Sequence, residues 1–467
     1  MRVLPDFQLP SNQLANMDEA TNTSSPYAYI VKDYIPDLGS YEDLYKHFHQ
    51  NPEISTLETE TSAKILEVFK KLNEQHGSPI EIKHPIGKTG MIGIHRNGPG
   101  KTILLRADID GLPLEEKTDL PYASKKTMHD SDLDNVTKPT MHACGHDFHI
   151  TSMLGAIETL LKAKDSWSGT IVYLFQPAEE RGRGARMMLD DGLYTKHSCP
   201  EPDIVLGQHV MCLKSGTVHT RPGPTMSAAD SYKITIHGKG GHGSMPHRTI
   251  DPVPLAAHIV LRLQTLVARE IPPDETAVIT VGSLKAGDTV NIISDHAVLQ
   301  INIRSFNEHW RKVLLDGVKR IVDAECVASN CPKPAEFEKL NEFPLTDNDP
   351  SLTHTVTSSF QQYFGKNRVG EDMPAQLGSE DFSLLAREIK KPYVFWFFGG
   401  IDEKEWEKRE KEGTLNELPV NHSPFFAPAL QPTLRTGVEC LVVGALTFLG
   451  KDKEGRNVDD SNEATGP

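Results

Sequence analysis

A chain of 467 residues, 38% hydrophobic and 24% charged, is long enough for two domains with sizeable cores and has the composition of a folded globular protein. Its formal charge of −15 argues against a nucleic-acid or anionic-membrane partner, because such surfaces need clustered Lys and Arg. No apolar run approaches the roughly 20 residues of a membrane helix, and residues 1–26 lack a signal peptide's basic end and apolar centre, so a cytoplasmic protein with small-molecule partners is expected.

Residues 1–27 and 452–467 are polar and aperiodic and read as flexible ends. Between them, TILLRAD (102–108), TIVYLFQ (170–176), DIVLGQH (203–209) and YVFWFF (393–398) read as buried strands, alternating with helices such as HITSMLGAIETLLKAK (149–164). The alternation predicts an α/β fold, with a largely parallel sheet in a main domain formed by residues 28–225 and 341–451. Residues 226–340 break the pattern. They read as strand (SYKITIHG), helix opened by Asp251-Pro252, two strands (TAVITVGSLKA, HAVLQINIRSF), helix (HWRKVLLDGVKRIVDAECVAS) and a short strand near 335–338, an inserted ferredoxin-like βαββαβ unit. The six cysteines are scattered without a CxxC pair, so reduced thiols are expected.

The stretch MHACGHDFHI (141–150) concentrates His142, Cys144, His146, Asp147 and His149, too many donors for an ordinary polar turn. Cys144 and His146 are two apart, a spacing that a turned loop converges and a helix would not. Other donors fall at strand carboxyl ends, where open α/β sheets carry their sites: Asp108 and Asp110, Glu179 and Glu180, and His209. A thiolate, imidazoles and a carboxylate make a mixed S/N/O set suited to transition metals, and the thiolate can bridge two ions. Adjacent carboxylates on extended backbone diverge, so one of Glu179 and Glu180 can bind metal while the other moves a proton, the pairing that amide hydrolysis needs. His47, His49, His197, His219, His258 and His354 read as ordinary structural residues.

With these residues in hand the chain resembles the M20 metallopeptidase family, in its branch of hippurate hydrolases, N-acyl-amino-acid amidohydrolases and auxin-conjugate hydrolases. The resemblance spans about residues 40–450 through HQNPEIS (49–55), RADIDGLP (106–113), MHACGHDFH (141–149), QPAEE (176–180), GQHV (207–210), RPGPTMSAAD (221–230), GKGGHGSMPH (238–247), NIIS (291–294), GSEDF (378–382) and HSPFF (422–426). It implies that the main domain is catalytic and holds two divalent ions, Zn or Mn with Ni also open, and that the insert is a lid through which the chain forms a homodimer. By the same resemblance Cys144, His146, Glu180, His209 and His422 would be ligands, Glu179 the general base and Asp108 a residue that orients the site. His242 would donate to the oxyanion, either in its own subunit or in its neighbour's, and Asn291 and Arg304 would hold the carboxylate of the amino-acid half. The implied reaction is cleavage of N-acyl or N-aroyl amino acids, or amino-acid conjugates, to acid plus amino acid.

The chain departs from the family pattern in four places: the longer, polar segment 124–140, Arg181 after the glutamate pair, Ser294 in place of proline, and a charged helical segment at 403–419. Rival readings are a dipeptidase or aminoacylase of the same family, an amidase using Cys144 as nucleophile with His146 as base, and a non-catalytic metal-binding descendant.

Overall fold

The computed structural model describes residues 25–77 and 80–451. The expected flexible ends fall mostly outside these, but Ser25–Tyr27 are described, and Tyr27 is buried in the main core. An aromatic ring at position 27 has apolar surface to bury, so the order of the chain begins before the predicted boundary.

An eight-stranded sheet forms the centre, in the order Glu81–Ile86, Gly90–Arg96, Thr170–Gln176, Thr102–Asp108, Ile204–Lys214, Tyr393–Ile401, Val218–His219, Val369–Gly370. The four strands predicted from sequence are its parallel middle, Thr170–Gln176 through Tyr393–Ile401. Antiparallel pairing enters only on the flanks. Two strands are longer than predicted: Ile204–Lys214 runs five residues past His209 and Tyr393–Ile401 three past Phe398, each sustained by pairing with the other.

The helices His146–Lys162 and Leu430–Leu449 pack together on one face of this sheet. They approach closely because each has a glycine at the crossing: a Cβ at Gly155 would lie 2.8 Å from Val438, and one at Gly437 would lie 2.3 Å from Ser152 Oγ. The Leu430–Leu449 helix is, against the sequence reading, long and apolar enough to cross a membrane by composition, yet 89% of its apolar window is buried in the protein. From Thr436 on, every residue of this helix is buried, as in a core helix.

The insert builds a separate antiparallel sheet, Ala277–Ala286, His296–Ser305, Ala228–His237 and Glu336–Phe343, with Pro252–Glu270 and Glu308–Ala328 packed around its own core. The chain order is βαββαβ, as read from sequence, although the last strand is Glu336–Phe343 and not a short element near 335–338. Asp251 caps the first helix by accepting from Val253 N at 2.9 Å, with Pro252 at the first helical position. A further small pair, Gly241–His242 with Ile292–Ile293, was not foreseen. It joins two of the quoted motifs, GKGGHGS and NIIS, in one ribbon.

Candidate metal centre

The predicted donors meet at the carboxyl edge of the parallel strands. Asp108 ends its strand, and His209 stands two residues beyond Gly207, the last partner of the Thr102–Asp108 strand. Cys144 lies in a turn as predicted, closed by Gly145 N on His142 O at 3.2 Å, but His146 is already the first residue of the following helix, with Gly145 at φ 84° between them. A Cβ at Gly145 would come within 2.3 Å of Val210 Cγ1, so this turn needs glycine. Ala178 (φ 50°) and His422 (φ 70°) also lie in the left-handed region, placing one such residue in three of the donor-bearing segments. Non-glycine residues hold that conformation where surrounding structure imposes it, commonly at functional sites.

Cys144 Sγ lies 3.2 Å from His422 Nε2 and 3.4 Å from His209 Nε2. Glu180 Oε2 is 3.3 Å from His422 Nε2, and Glu180 Oε1 and Glu179 Oε2 are each 3.9 Å from His146 Nε2. Cys144, Glu180 and His422 form one compact donor group, His146, Glu179 and Glu180 a second, and Asp108, His146, His149 and His209 a third. All five predicted ligands are therefore brought together. The loop bearing His422 is stitched down by His422 N–H to Ala143 O (2.8 Å) and by Asn421 Nδ2 to Cys144 O (3.2 Å) and Val210 O (3.0 Å).

Backbone carbonyls can only accept, which assigns two tautomers. His146 Nδ1 donates to Asp110 O at 2.9 Å and His209 Nδ1 to Val210 O at 2.7 Å, so each presents Nε2 to the centre. His149 is different: its Nε2 accepts from Val210 N at 2.9 Å and its Nδ1 donates to Asp108 Oδ1 at 2.5 Å, which occupies both nitrogens. Asp108 thus orients a histidine, although the partner is His149, while its Oδ2 lies 3.6 Å from His146 Nε2.

The glutamate pair does not diverge on extended backbone as predicted. Both residues sit in a turn after the strand ends at Gln176, and both face His146. What separates them is the rest of their surroundings: Glu180 adjoins Cys144 and His422, whereas Glu179 adjoins Glu380 and Asp381.

Sequence reading missed the groups behind Glu179. Arg106, fully buried, donates to Asp108 (2.6 Å), Glu380 (2.7 and 3.2 Å), Asp381 (3.4 Å) and Gln176 Oε1 (2.9 Å). The signal available was an arginine inside the buried run TILLRAD, since an interior charge demands partners. Replacing Arg106 with Met is expected to destabilise the fold by about 3–5 kcal/mol, because buried carboxylates would lose their counter-charge. Urea unfolding of the variant checks this. His49, read as ordinary, is buried between Asp147 (2.7 Å) and Glu116 (3.0 Å).

The centre carries more buried negative charge than Arg106 can offset. Burial, then Glu380 and Glu180, push the Glu179 carboxyl well above the usual range, and burial with Glu380 lifts Asp381 to about 8. Burial followed by Glu180 and Glu179 pushes the Cys144 thiol far up. For His146, burial opposes the charge, but Asp108, Asp110 and Glu180 prevail and raise it to about 10. These are protons that a cation would replace. His146 Nε2 and Glu180 Oε1 are moreover buried without any hydrogen-bond partner, so the residues present fit divalent ions. A high thiol pKa also disfavours Cys144 as a free nucleophile.

In the lid, His242 is exposed and makes no contact with this centre among the described residues. Its Nδ1 accepts from Ser244 N (3.1 Å) and lies 2.8 Å from Ser244 Oγ, which leaves Nε2–H as an outward donor. Asn291 is exposed next to the paired strand, and its carbonyl accepts from Gly243 N at 2.9 Å. Arg304 reaches across to the main domain, donating through Nη1 to Leu377 O and to Ser379 Oγ (3.3 Å), while Nη2 has no partner among the described residues.

Residues 104–414 match Peptidase family M20/M25/M40. The chain is 38% identical over 431 residues to thermostable carboxypeptidase 2 of Saccharolobus solfataricus, covering 90% of this chain and 100% of that one. It is 33% identical to the hippurate hydrolase of Campylobacter jejuni over 78% of this chain and 90% of that one. A dinuclear metal-binding M20 peptidase from Bacillus subtilis superposes with a TM-score of 0.67 at 27% identity, covering 88% and 98% of the two chains. The chain is a hydrolase of the amidohydrolase and peptidase kind, and it belongs to the M20 peptidase family.

Proposed function

We propose that this protein is a binuclear metal-dependent amidohydrolase that cleaves N-acyl or N-aroyl amino acids, or related conjugates, to a carboxylic acid and an amino acid. The observation that carries the reading is the pair of buried, unpartnered ligand atoms, His146 Nε2 and Glu180 Oε1, beside a second carboxylate, Glu179, 3.9 Å from the same His146 Nε2. Cys144, His146, Glu180, His209 and His422 would hold two divalent ions, with sulfur favouring Zn and the carboxylate leaving Mn open. When bound, such ions polarise the scissile carbonyl and acidify a nearby water. Glu179 takes the proton from the attacking water and returns it to the leaving nitrogen, so the amide C–N bond breaks without a free proton or a free amide anion. A cytoplasmic setting, where thiols stay reduced, suits the Cys144 ligand.

The acyl-amino-acid assignment is supported by the relative named for hippurate hydrolysis. A peptidase reading is favoured by the relative named carboxypeptidase. A panel of N-acetyl, N-benzoyl and indole-acetyl amino acids assayed beside free dipeptides separates them; faster turnover of the dipeptides would overturn the first reading. In either case Asn291 and the open Nη2 of Arg304 are suited to the substrate carboxylate.

His242 is proposed to serve the active site of a partner subunit in a homodimer formed through the lid. The exposed Val290 and Ile292 beside it support such a contact. His242→Ala is expected to keep its metal and to lose roughly 10²-fold in turnover, more than in apparent substrate affinity, as oxyanion donors do. Mixing inactive His242→Ala and Glu179→Gln subunits should restore part of the activity, since one hybrid site would hold both intact residues. Undiminished turnover of His242→Ala would refute the role, and a loss without rescue in verified mixed dimers would place the histidine in its own subunit's site.

A further inference from the structure

Two of the departures from the family pattern meet in space. The 124–140 segment folds into a hairpin, Thr127–Asp130 against Val136–Pro139. Arg181, the residue after the glutamate pair, reaches it: Nη2 donates to Asp130 Oδ2 at 2.7 Å and Nη1 to Asp132 Oδ2 at 2.9 Å. Asp130 is buried and also accepts from Leu133 N at 3.1 Å and Lys138 Nζ at 3.2 Å. The hairpin is anchored at its base, with Ile54 N on Met128 Sδ (3.4 Å), Thr140 Oγ1 on Pro52 O (3.0 Å) and a bridge between Leu112 and Met141 just before the Cys144 turn.

The turn that carries Glu179 and Glu180 is pinned at its ends, by Ala178 N on Glu58 Oε1 (2.8 Å) and by Arg183 N and Gly184 N on Ala178 O (3.2 and 3.1 Å), and is held by fewer bonds between them. Left-handed residues stand on both sides, Ala178 at φ 50° and Gly182 at φ 60°. Within it Gly182 N bonds to Glu179 O at 2.7 Å, and Glu180 N donates to Asp110 Oδ2 at 3.1 Å. The Arg181 guanidinium is the next restraint along the chain. A planar fork held by two carboxylates fixes direction as well as distance.

We propose that the 127–139 hairpin is a strut, locked by the Arg181–Asp130 pair, that positions the Glu179–Glu180 turn so that the Glu180 carboxylate is presented to an ion. Arg181 and Asp130 are positioning residues, and neither touches the donor atoms of the centre. Their loss is expected to leave the fold standing. Without Arg181, Asp130 keeps Lys138 and Leu133 N, and with Asn at 130, Arg181 keeps Asp132. This also gives the two departures one explanation, since each supplies half of the pair.

The inference rests on reading Glu180 as a ligand, and metal affinity without substrate tests both steps. Zn²⁺ and Mn²⁺ binding to the full chain is measured by equilibrium dialysis for wild type, Arg181→Ala, Arg181→Lys, Asp130→Asn, the Arg181→Ala/Asp130→Asn double variant and Glu180→Gln. Arg181→Ala and Asp130→Asn are each expected to weaken binding by about 10-fold or more, the usual effect of removing a group that supports a ligand. The double variant should be no worse than either single one, Arg181→Lys should recover part of the loss, and kcat should fall with KM unchanged. Wild-type affinity in Arg181→Ala, or losses that multiply in the double variant, would overturn the strut. Should Arg181→Ala fail to fold, Asp130→Asn and Arg181→Lys carry the same comparison. Full metal in Glu180→Gln would overturn the ligand reading itself, whereas metal loss there with unaltered binding in the Arg181 and Asp130 variants would overturn the strut alone.

Discussion

Exchanging Glu179 for glutamine is expected to lower turnover by about 10²–10⁴-fold while leaving the metal content unchanged, the usual weight of general acid–base catalysis. The amide keeps the size and hydrogen-bonding shape of the side chain but can neither take a proton from water nor return one to nitrogen. Glu179 and Glu180 stand at the same 3.9 Å from His146 Nε2, so that distance does not tell them apart. Their other neighbours do. Glu180 is 3.3 Å from His422 Nε2, in the group with Cys144, while Glu179 backs onto Glu380 and Asp381, where burial and like charge raise its affinity for a proton. Substrate affinity should change less than turnover, because the proton transfers occur in the transition state. Metal lost from Glu179→Gln, with Glu180→Gln harmless, would show the pair assigned in reverse.

Removing divalent ions with a chelator is expected to bring hydrolysis to background, and returning Zn²⁺ or Mn²⁺ should restore it in the wild type. Cys144→Ser should lose metal and hydrolysis together and respond poorly to added ions, since a serine alkoxide is far less accessible near neutral pH than a thiolate. Burial and Glu180 hold the Cys144 thiol well above its ordinary value, so an ion must displace that proton as it binds. Apparent metal affinity should therefore rise with pH, which dialysis at several pH values would measure. Full turnover in metal-free protein would remove the basis of the mechanism, and retained metal with retained turnover in Cys144→Ser would make the cysteine structural.

What the sequence determined by itself is what neighbouring residues decide between them. Apolar runs set the strands Thr102–Asp108 and Thr170–Gln176 at their predicted limits, Asp251-Pro252 opened its helix, and the βαββαβ order of the insert followed from alternating periodicities. Cys144, His146, Glu180 and His209 were legible as candidate donors because metal chemistry restricts residue types, whereas His422 was named only through the resemblance, by the motif HSPFF. Tertiary structure alone decided the partners. Arg106 and Glu380 lie 274 residues apart in sequence, Asp130 and Arg181 lie 51 apart, and His149 meets Val210 N across 61 positions. The division of work between Glu179 and Glu180 likewise depends on what stands behind each, and a turn replaced the extended backbone that alternation implied. Periodicity and capping act over a few residues, whereas the pairing of a buried charge is set by whichever distant segment the packed sheet brings against it, and no local pattern encodes that choice.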